Sequence, residues 1–428
     1  MKRAIVVGSG AGGATVAREL QGAYQVTVLE AGQTFQPFGR NLSLIAKARR
    51  TGLLFDERQI RWIFPPMRIR KASGGMVLVN GIGHGGTTTI SAGNAVRRDD
   101  DLKAIGIDLD AEFAELYREI PVSHEHRRMW RTPTEQAFSV CHDMGLAPRP
   151  TPKMIRLDRC AGCGHCVLGC PRGAKWDSRE FLGEATARGA ELVSRCRVDK
   201  VVIENGLATG VVAARGGRRQ LIPADLVVVA AGGLGTPVIL RQSGIECLDR
   251  LFVDPVLCVA APWPGARQDH EISMPFIVQA EHFIISPYFD FLSFFFDRRW
   301  RRPAGEIFSL MIKLADTGSG SVVKGRVRKT LTDEDRGHLD EGVRTCRDIL
   351  KKMGAREADI FTGTVNAGHP GGMLPLTARE WRTLHNDALP GNLYVADASL
   401  FPRSLGNPPV LTIAAMAKRI GRLCREHA

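Results

Sequence analysis

The sequence predicts a mixed α/β (α+β) protein with a helix-covered parallel sheet and a separate antiparallel sheet. A short β-branched run at residues 3–8 (RAIVVG) leads through a glycine turn into the helical stretch ATVARELQ. A second apolar strand at 224–233 (ADLVVVAAGG) runs into another glycine turn and helix. Strands that alternate with helices form parallel sheets, whereas the alternating and aromatic-rich stretches of residues 251–384 suit an antiparallel sheet. We therefore expect a Rossmann-like domain beside a substrate-facing domain.

The N-terminal glycine turn predicts a dinucleotide site. Gly8, Gly10 and Gly13 follow a strand and open a helix. Glycines in that position allow a tight turn and a close backbone approach, and the free N–H groups at the helix start receive a pyrophosphate. The next strand, QVTVLE, ends at Glu30, where an acidic side chain binds the hydroxyls of an adenosine ribose. Because Ala-Gly follows this glutamate, we expect FAD rather than a nicotinamide cofactor.

Residues 72–94 (ASGGMVLVNGIGHGGTTTISAGN) form a second glycine-rich block. Its glycines, Gly75 and Gly86 among them, would let the chain pass closely over a flat ligand. Asn80 and Thr87 are candidate polar contacts to that ligand. The alternative is a flexible surface loop.

Four cysteines in one short run predict an iron-sulfur cluster. Their spacing, C-x2-C-x2-C-x3-C-P, is that of the bacterial ferredoxin run, in which thiolates on a tight loop reach one cubane. Zinc usually needs two separated C-x2-C pairs, and a disulfide framework does not suit a chain long enough to bury its own core. The predicted ligands are Cys160, Cys163, Cys166 and Cys170.

The fourth ligand of this cluster has alternatives. In two-cluster ferredoxins the last cysteine of the run serves the other cluster, and this sequence has no second run. Cys170 therefore closes a 4Fe-4S cluster, or a remote thiol such as Cys141 or Cys196 does, or the cluster is 3Fe-4S.

Composition and charge limit the partners and the location. The chain has 58 Lys+Arg against 45 Asp+Glu, and the net charge of +13 favours acidic partners. No nucleic-acid motif accompanies the charge, so we expect no nucleic-acid binding. The longest apolar run, residues 283–296, is too short to span a bilayer and is followed by arginines. We expect this run to form the wall of a substrate pocket, a part of the core, or a peripheral membrane contact. We expect a cytoplasmic protein, with the inner membrane face as the alternative site of contact.

Local patterns predict several further elements. SREFLGEATARGAELVS has the apolar spacing of an amphipathic helix, and Asn205-Gly206 suits the turn of a hairpin. Thr332 is placed to cap a long helix over 333–354. The chain closes with the strand NLYVADASLFP and the helix NPPVLTIAAMAKRIGRLCREH.

Five blocks along the chain resemble the glucose-methanol-choline (GMC) flavin oxidoreductases. They are GSGAGG with Glu30, GGMVLVNG, AGGLGTPVILRQSGI, GHPGGM, and DASLFP with NPPVLTIAAMA. The resemblance implies an FAD-binding domain of the p-hydroxybenzoate hydroxylase type, assembled from separate segments, and an antiparallel-sheet substrate domain. The expected FAD-binding segments are 1–97, 186–250 and 385–428. The expected helical insertion with the cysteine run is 98–185, and the expected substrate domain is 251–384.

The resemblance also implies roles for individual residues. His369 falls where the family has its active-site histidine, and Asn407 where it has the second member of that pair. Asp397 corresponds to an FAD-contacting aspartate, and Val198 to a residue whose backbone meets the adenine. Further cofactor contacts are implied at Gly232 and Pro408.

The expected reaction is oxidation of an alcohol, in which His369 takes the hydroxyl proton as hydride leaves for flavin N5. The cysteine run resembles that of a subset of bacterial dehydrogenases of this family. It implies that electrons leave singly through the cluster to a redox partner protein, such as a ferredoxin, or a quinone. The aromatic composition of 251–384 favours a hydrophobic alcohol, or a carbonyl compound if the enzyme runs in reverse. The alternatives are an electron-transfer protein without a small substrate and an oxidase with a structural metal.

Overall fold

The computed structural model describes residues 1–38, 57–426 and 428. The strands in these ranges are β1 Arg3–Val7, β2 Gln25–Leu29, β3 Met67–Lys71, β4 Val77–Gly81, β5 Val122–Ser123, β6 Arg149–Pro150, β7 Lys153–Met154, β8 Glu191–Val193, β9 Cys196–Glu204, β10 Leu207–Arg215, β11 Arg218–Pro223, β12 Leu226–Val229, β13 Pro255–Pro262, β14 Phe276–Gln279, β15 Phe283–Pro287, β16 Ile307–Leu314, β17 Ser321–Val323, β18 Arg326–Arg328, β19 Phe361–Thr362, β20 Asn366–Ala367 and β21 Leu393–Val395. The α-helices are α1 Ala11–Glu19, α2 Ile60–Ile63, α3 Asp100–Ala104, α4 Asp110–Glu119, α5 Thr132–Asp143, α6 Arg179–Ala187, α7 Gly232–Gln242, α8 Phe291–Phe296, α9 Asp333–Lys352 and α10 Val410–Glu426.

The N-terminal strand lies at the centre of a five-stranded parallel sheet in the order β21-β12-β1-β2-β8. The four residues of β12 are all buried because helices cover the sheet. α1 follows β1 directly and packs against α10 and α6, which come from distant parts of the chain. The predicted mixed α/β fold with a Rossmann-like core is confirmed.

A second, larger sheet is almost entirely antiparallel and has the order β3-β4-β20-β13-β16-β15-β14-β6, with β19 also paired to β13. α9 packs against β13, β15 and β16. The Thr332 side chain accepts from the Asp335 amide and the Asp335 side chain accepts from the Thr332 amide, so the predicted cap is confirmed as a capping box.

The predicted domain boundaries stay predictions. β3 and β4 fall within the expected FAD-binding segment 1–97. In the structure β4 pairs with β20, so this hairpin is part of the large sheet.

Two further local predictions are confirmed. Asn205 and Gly206 connect β9 to β10, with φ of +52° and +77°. These are the left-handed values that a tight two-residue hairpin turn needs. The closing strand and helix are β21 and α10.

The aromatic run 283–296 forms β15 and α8, and most of its large side chains lie in the core. Phe283, Phe289, Phe291, Phe294 and Phe295 are each less than 10% exposed. Of the three alternatives for this run, its burial supports core and pocket wall, and the peripheral membrane contact stays a prediction. No helix in the described ranges is long and apolar enough to cross a bilayer.

Candidate active site

A cavity of about 620 Å³ lies between the two sheets. Its wall includes backbone from the glycine turn after β1, the end of β2, the segment between β4 and residue 94, and the start of α10. The predicted site residues that line it are Gly8, Gly10, Glu30, Asn80, Gly86, Thr87, Val198, Gly232, His369, Asp397 and Pro408. The structure thus brings most of the predicted FAD-binding residues to one cavity.

The start of α1 faces this cavity without a side-chain cap. A Cβ at Gly10 would meet no atom within 4 Å, so the backbone there is open to a ligand. Gly13 lies behind the cavity wall, where a Cβ would stand 2.0 Å from the Gly8 carbonyl oxygen. Its role is to let α1 pack tightly on β1. An uncapped helix start beside open glycine backbone fits a pyrophosphate.

Glu30 is held in place by the turn that it faces. Its Oε2 accepts from the Ser9 amide at 3.0 Å and the Ser9 hydroxyl at 2.7 Å. Its Oε1 accepts from the amides of Gly32 at 2.8 Å and Gly83 at 3.2 Å. The Ser9 hydroxyl can rotate away, so the carboxylate can still receive a ribose hydroxyl from the cavity.

Asp397 joins two elements at the opposite side of the cavity. It accepts from the Gly232 amide at 2.9 Å, from the Ser399 amide at 2.9 Å and from the Thr236 hydroxyl. Burial raises its pKa, which these hydrogen bonds oppose. The carboxylate therefore fixes the start of α7 against the C-terminal segment.

Besides Gly13, two predicted residues lie away from the cavity wall. Gly75 is exposed in the turn between β3 and β4. Asn407 is fully buried next to the wall residue Pro408, and its Nδ2 donates to Gln279 Oε1 at 3.1 Å. Its Oδ1 has no partner among the described residues. The predicted pair of His369 and Asn407 thus has only its histidine on the wall.

Behind His369 lies a buried ion pair that the sequence analysis missed. The Asp254 Oδ2 is 3.3 Å from His369 Nδ1 and 2.7 Å from Lys313 Nζ. The Ser404 hydroxyl donates to the other oxygen of Asp254. Asp254 and Lys313 are 1% and 2% exposed, and Lys313 also lines the cavity.

The ion pair determines the tautomer of the His369 imidazole and contributes to its protonation state. Because Lys313 keeps Asp254 ionised, the carboxylate can only accept a hydrogen bond, so His369 Nδ1 carries the proton. Nε2 is then the basic nitrogen. Burial lowers the pKa of His369 to about 4, with the Lys313 cation acting in the same direction and Asp254 opposing it. The imidazole is neutral over the physiological range.

A second, much smaller cavity is lined by all four cysteines of the run. The intervening chain is tightly packed: Gly164 has a φ of +73°, and a Cβ there would stand 2.0 Å from the Asp269 carbonyl oxygen. Burial raises the pKa of the Cys160 and Cys163 thiols. The amides of Gly162 and His165 oppose this shift by hydrogen bonding to Cys160 and Cys163 respectively.

The four thiols do not surround a single point. Within the described ranges no group of three or more His, Cys, Asp or Glu side chains is arranged to hold one metal ion. A tetrahedral zinc site needs four ligands around one ion, whereas in a cubane cluster each thiolate binds a different iron and the sulfurs stand further apart. Cys141 and Cys196 are buried and do not line the small cavity.

The two cavities adjoin through the cysteine run itself. Cys166 lines the small cavity, and the next two residues, Val167 and Leu168, line the large one. A group bound to Cys166 is therefore one residue away from the wall of the large cavity.

Comparisons with known proteins agree with this arrangement. Residues 3–249 match the family model described as GMC oxidoreductase. An uncharacterized protein of Methanocaldococcus jannaschii is 26% identical, with 97% of this chain and 98% of the relative covered. A long-chain-alcohol oxidase of Arabidopsis thaliana is 22% identical over 98% of this chain and 68% of its own length. The crystal structure of pyridoxine 4-oxidase from Mesorbium loti superposes with a TM-score of 0.73 at 15% identity, over all of both chains. The chain therefore belongs to the GMC oxidoreductases, FAD enzymes that act on alcohols or similar substrates.

Proposed function

We propose that this chain is an FAD-dependent dehydrogenase of a hydrophobic alcohol, with His369 as the base and an iron-sulfur cluster as the exit for electrons. The observation that carries the proposal is the position of His369. Its side chain is 24% exposed, lines the same cavity as the FAD-binding elements, and rests on the Asp254–Lys313 ion pair.

His369 has the properties of a base for an alcohol. Its Nδ1–H donates to Asp254, which fixes the ring and leaves Nε2 free to accept the hydroxyl proton. When bound, FAD supplies the hydride acceptor for the carbon of the same CH–OH group. The alcohol thus loses one proton to Nε2 and one hydride, and a carbonyl compound forms. The reverse sequence reduces a carbonyl with the same residues.

The residues proposed to hold FAD are those on the cavity wall. The uncapped start of α1 with Gly8 and Gly10 receives the pyrophosphate, and Glu30 receives the ribose. The remaining contacts are proposed at Asn80, Gly86, Thr87, Val198, Gly232, Asp397 and Pro408. Gly13 supports the site by packing α1 on β1, whereas Gly75 lies outside it.

The cavity wall on the large-sheet side is mainly apolar, which supports a hydrophobic substrate. The side chains that contribute to it are Met274, Tyr288, Phe291, Leu292, Phe295 and Met311. The polar wall residues there, Asp290, Lys313 and Asn366, are fewer than the apolar ones, and a sugar needs several polar contacts. The Arabidopsis relative is a long-chain-alcohol oxidase, which supports this substrate class.

Asn407 stays in the proposal as a supporting residue. Its Oδ1 is buried and has no partner among the described residues, while the adjacent Pro408 is on the wall. A buried amide oxygen without a donor is costly, so a small rotation toward the cavity would gain a hydrogen bond from a substrate hydroxyl.

We propose that Cys160, Cys163, Cys166 and Cys170 hold a 4Fe-4S cluster, with 3Fe-4S as the alternative. All four thiols are free and line one small cavity, which supports Cys170 as the fourth ligand over Cys141 or Cys196. When bound, the cluster supplies single-electron transfer. The amides that donate to Cys160 and Cys163 would stabilise the thiolates that it requires.

The acceptor is proposed to be an acidic redox protein or a quinone. Arg159 and Arg172 flank the cysteine run and are exposed, and the chain as a whole carries a net charge of +13. A basic surface beside the cluster favours encounter with an acidic protein.

Anaerobic stopped-flow reduction tests the proposed function. Mixing the FAD-loaded protein with a panel of primary and secondary alcohols should bleach the flavin with at least one apolar alcohol. His369→Ala should slow that bleaching by about 10²–10⁴-fold, the usual contribution of a positioned base. His385→Ala, which changes a histidine outside the cavity, should have little effect.

Two results would contradict the proposal. Equal bleaching in wild type and His369→Ala would remove His369 from the chemistry. If no alcohol bleaches the flavin but a reduced protein donor does, the chain is an electron relay without a small organic substrate.

A further inference from the structure

Two lysines are buried between the large cavity and the small one. Lys153 is 1% exposed, and its Nζ donates to the Ala92 carbonyl at 2.6 Å, to Asn94 Oδ1 at 2.5 Å and to the Ser273 carbonyl at 2.7 Å. Ala92 and Asn94 line the large cavity. A lysine is rarely buried to this extent unless an anion accompanies it.

Lys175 has a similar environment, lines the small cavity and donates to residues in the wall of the large one. It is 5% exposed and lines the small cavity with the cysteines. Its Nζ donates to the Thr88 carbonyl at 3.0 Å, the Thr89 carbonyl at 2.8 Å and the Ser91 carbonyl at 2.9 Å. Thr88 and Ser91 line the large cavity, and Thr89 follows Thr88 in the chain. Lys175 Nζ also donates to the carbonyl of Cys166 at 3.0 Å.

The hydrogen bonds indicate that both side chains are charged. Three acceptors surround Lys153 Nζ and four surround Lys175 Nζ. Only an ammonium has three N–H donors; a neutral amine has two, and its lone pair would face an oxygen. Two positive charges are therefore buried side by side.

Neither charge is balanced by a carboxylate in the part of the chain that the structure describes. All the acceptors are neutral carbonyl or amide oxygens. Asp177 is an electrostatic neighbour of Lys175, but both of its oxygens are engaged by Arg179, at 2.8 and 2.9 Å. The other acidic groups that interact electrostatically with the lysines are cysteines of the run, Cys166 with both of them.

We propose that Lys153 and Lys175 are the counter-charges of an anionic tetrathiolate cluster and raise its reduction potential. The inference rests on the proposed iron-sulfur site. A cluster that gains an electron becomes more negative, and two ammonium groups in a low-dielectric interior favour that state. With both groups bound, each transfer would move one electron from the reduced flavin to the cluster and on to the partner protein or quinone. Two such transfers carry the pair that one alcohol molecule gives up.

The lysines lie at the boundary of the two cavities. By raising the midpoint potential, their charge would make a cluster held by the four cysteines a better acceptor for electrons from a reduced flavin.

A redox titration of the anaerobically purified holoprotein, followed by EPR, tests this role. Lys153→Gln and Lys175→Gln keep a side-chain N–H donor and remove the charge. Lys153→Met and Lys175→Met serve as second variants if a glutamine variant does not fold. We expect each substitution to reduce the equilibrium constant for cluster reduction on the order of tenfold, which lowers the midpoint potential by ~59 mV for one electron. Lys200→Met removes an exposed charge from β9 and should leave the potential unchanged.

The outcomes separate this inference from the proposed function. Variants that retain iron, sulfide and FAD but keep the wild-type potential would overturn the counter-charge role, and the lysines would then only hold the chain in place. Wild-type protein without iron and acid-labile sulfide would instead overturn the proposed cluster.

Discussion

Asp254 and Lys313 form the ion pair behind His369. A double-mutant cycle would measure the coupling energy between them, that is, how far the effect of each residue on stability depends on the other. The side chains are 1% and 2% exposed, and Oδ2 and Nζ are 2.7 Å apart. Removing one partner leaves the other charge buried, which lowers the free energy of unfolding by about 3–5 kcal/mol. Replacing both with neutral residues of similar shape, Asp254→Asn with Lys313→Met, leaves no charge behind and is expected to be close to neutral.

These values give the expected coupling. If each single substitution costs about 3–5 kcal/mol and the double substitution costs no more than one single, the coupling energy is at least about 3 kcal/mol. The assay is reversible urea unfolding of the four proteins at a fixed excess of FAD, because bound FAD itself contributes to stability. Arg127 and Glu135 are a matched exposed pair, 51% and 38% exposed, and should couple by only about 0.2–1 kcal/mol.

Additive effects would refute the reasoning. A coupling energy for Asp254 and Lys313 no larger than that of the exposed control pair would mean that the two charges do not depend on each other. The tautomer assigned to His369 would then lose its physical basis.

Three further predictions concern the two proposed sites. Burial holds the pKa of His369 at about 4, below the unfolded value of 6.5, so the unfolded chain binds more protons between these values. The contribution of His369 to stability should therefore fall as pH drops from about 6.5 to about 4. Because the Lys313 cation lowers the pKa of His369, Lys313→Met should move the acid limb of alcohol-dependent flavin reduction to higher pH, which a pH–rate profile measures. Gly13→Val should lose FAD, seen as a lower ratio of flavin to protein absorbance, because even a Cβ would stand 2.0 Å from a backbone oxygen. Cys170→Ala should lower the iron and sulfide content and retain FAD; wild-type iron in this variant would exclude Cys170 as the fourth ligand.

The parts of the fold that sequence predicts well are those determined by neighbouring residues. The turn at Asn205-Gly206 needs only the backbone freedom of two adjacent residues, and the Thr332 cap needs only the helix that follows it. The glycine turn and Glu30 are likewise close in the chain, and the structure brings both to one cavity.

The pairs that create the chemical environment were not predictable in this way. Asp254 and Lys313 meet because β13 and β16 are antiparallel, with Val256 opposite Lys313 in the register. Nothing in either local sequence distinguishes them from ordinary surface charges. The same is true of Lys153 and Lys175, because burial of a lysine is a property of the folded chain.

The prediction for Asn407 depends on the family resemblance, and the structure shows where that prediction is limited. The resemblance to the family places it beside His369, yet its side chain packs against Gln279 and does not reach the cavity wall. Adjacent residues in a tight segment can point to different sides, and the sequence does not give the direction.

The most direct measurement of the proposed function uses the anaerobically purified protein. Iron and acid-labile sulfide are assayed first, and EPR spectra are then recorded before and after addition of each alcohol of the panel. The proposed function predicts about four iron and four sulfide per chain, or three iron for the smaller cluster, and a change in the cluster signal with an apolar alcohol. The change should be absent in His369→Ala. A chain without sulfide, or a cluster that no alcohol affects in protein loaded with FAD, would contradict the transfer of electrons from an alcohol to the cysteine run.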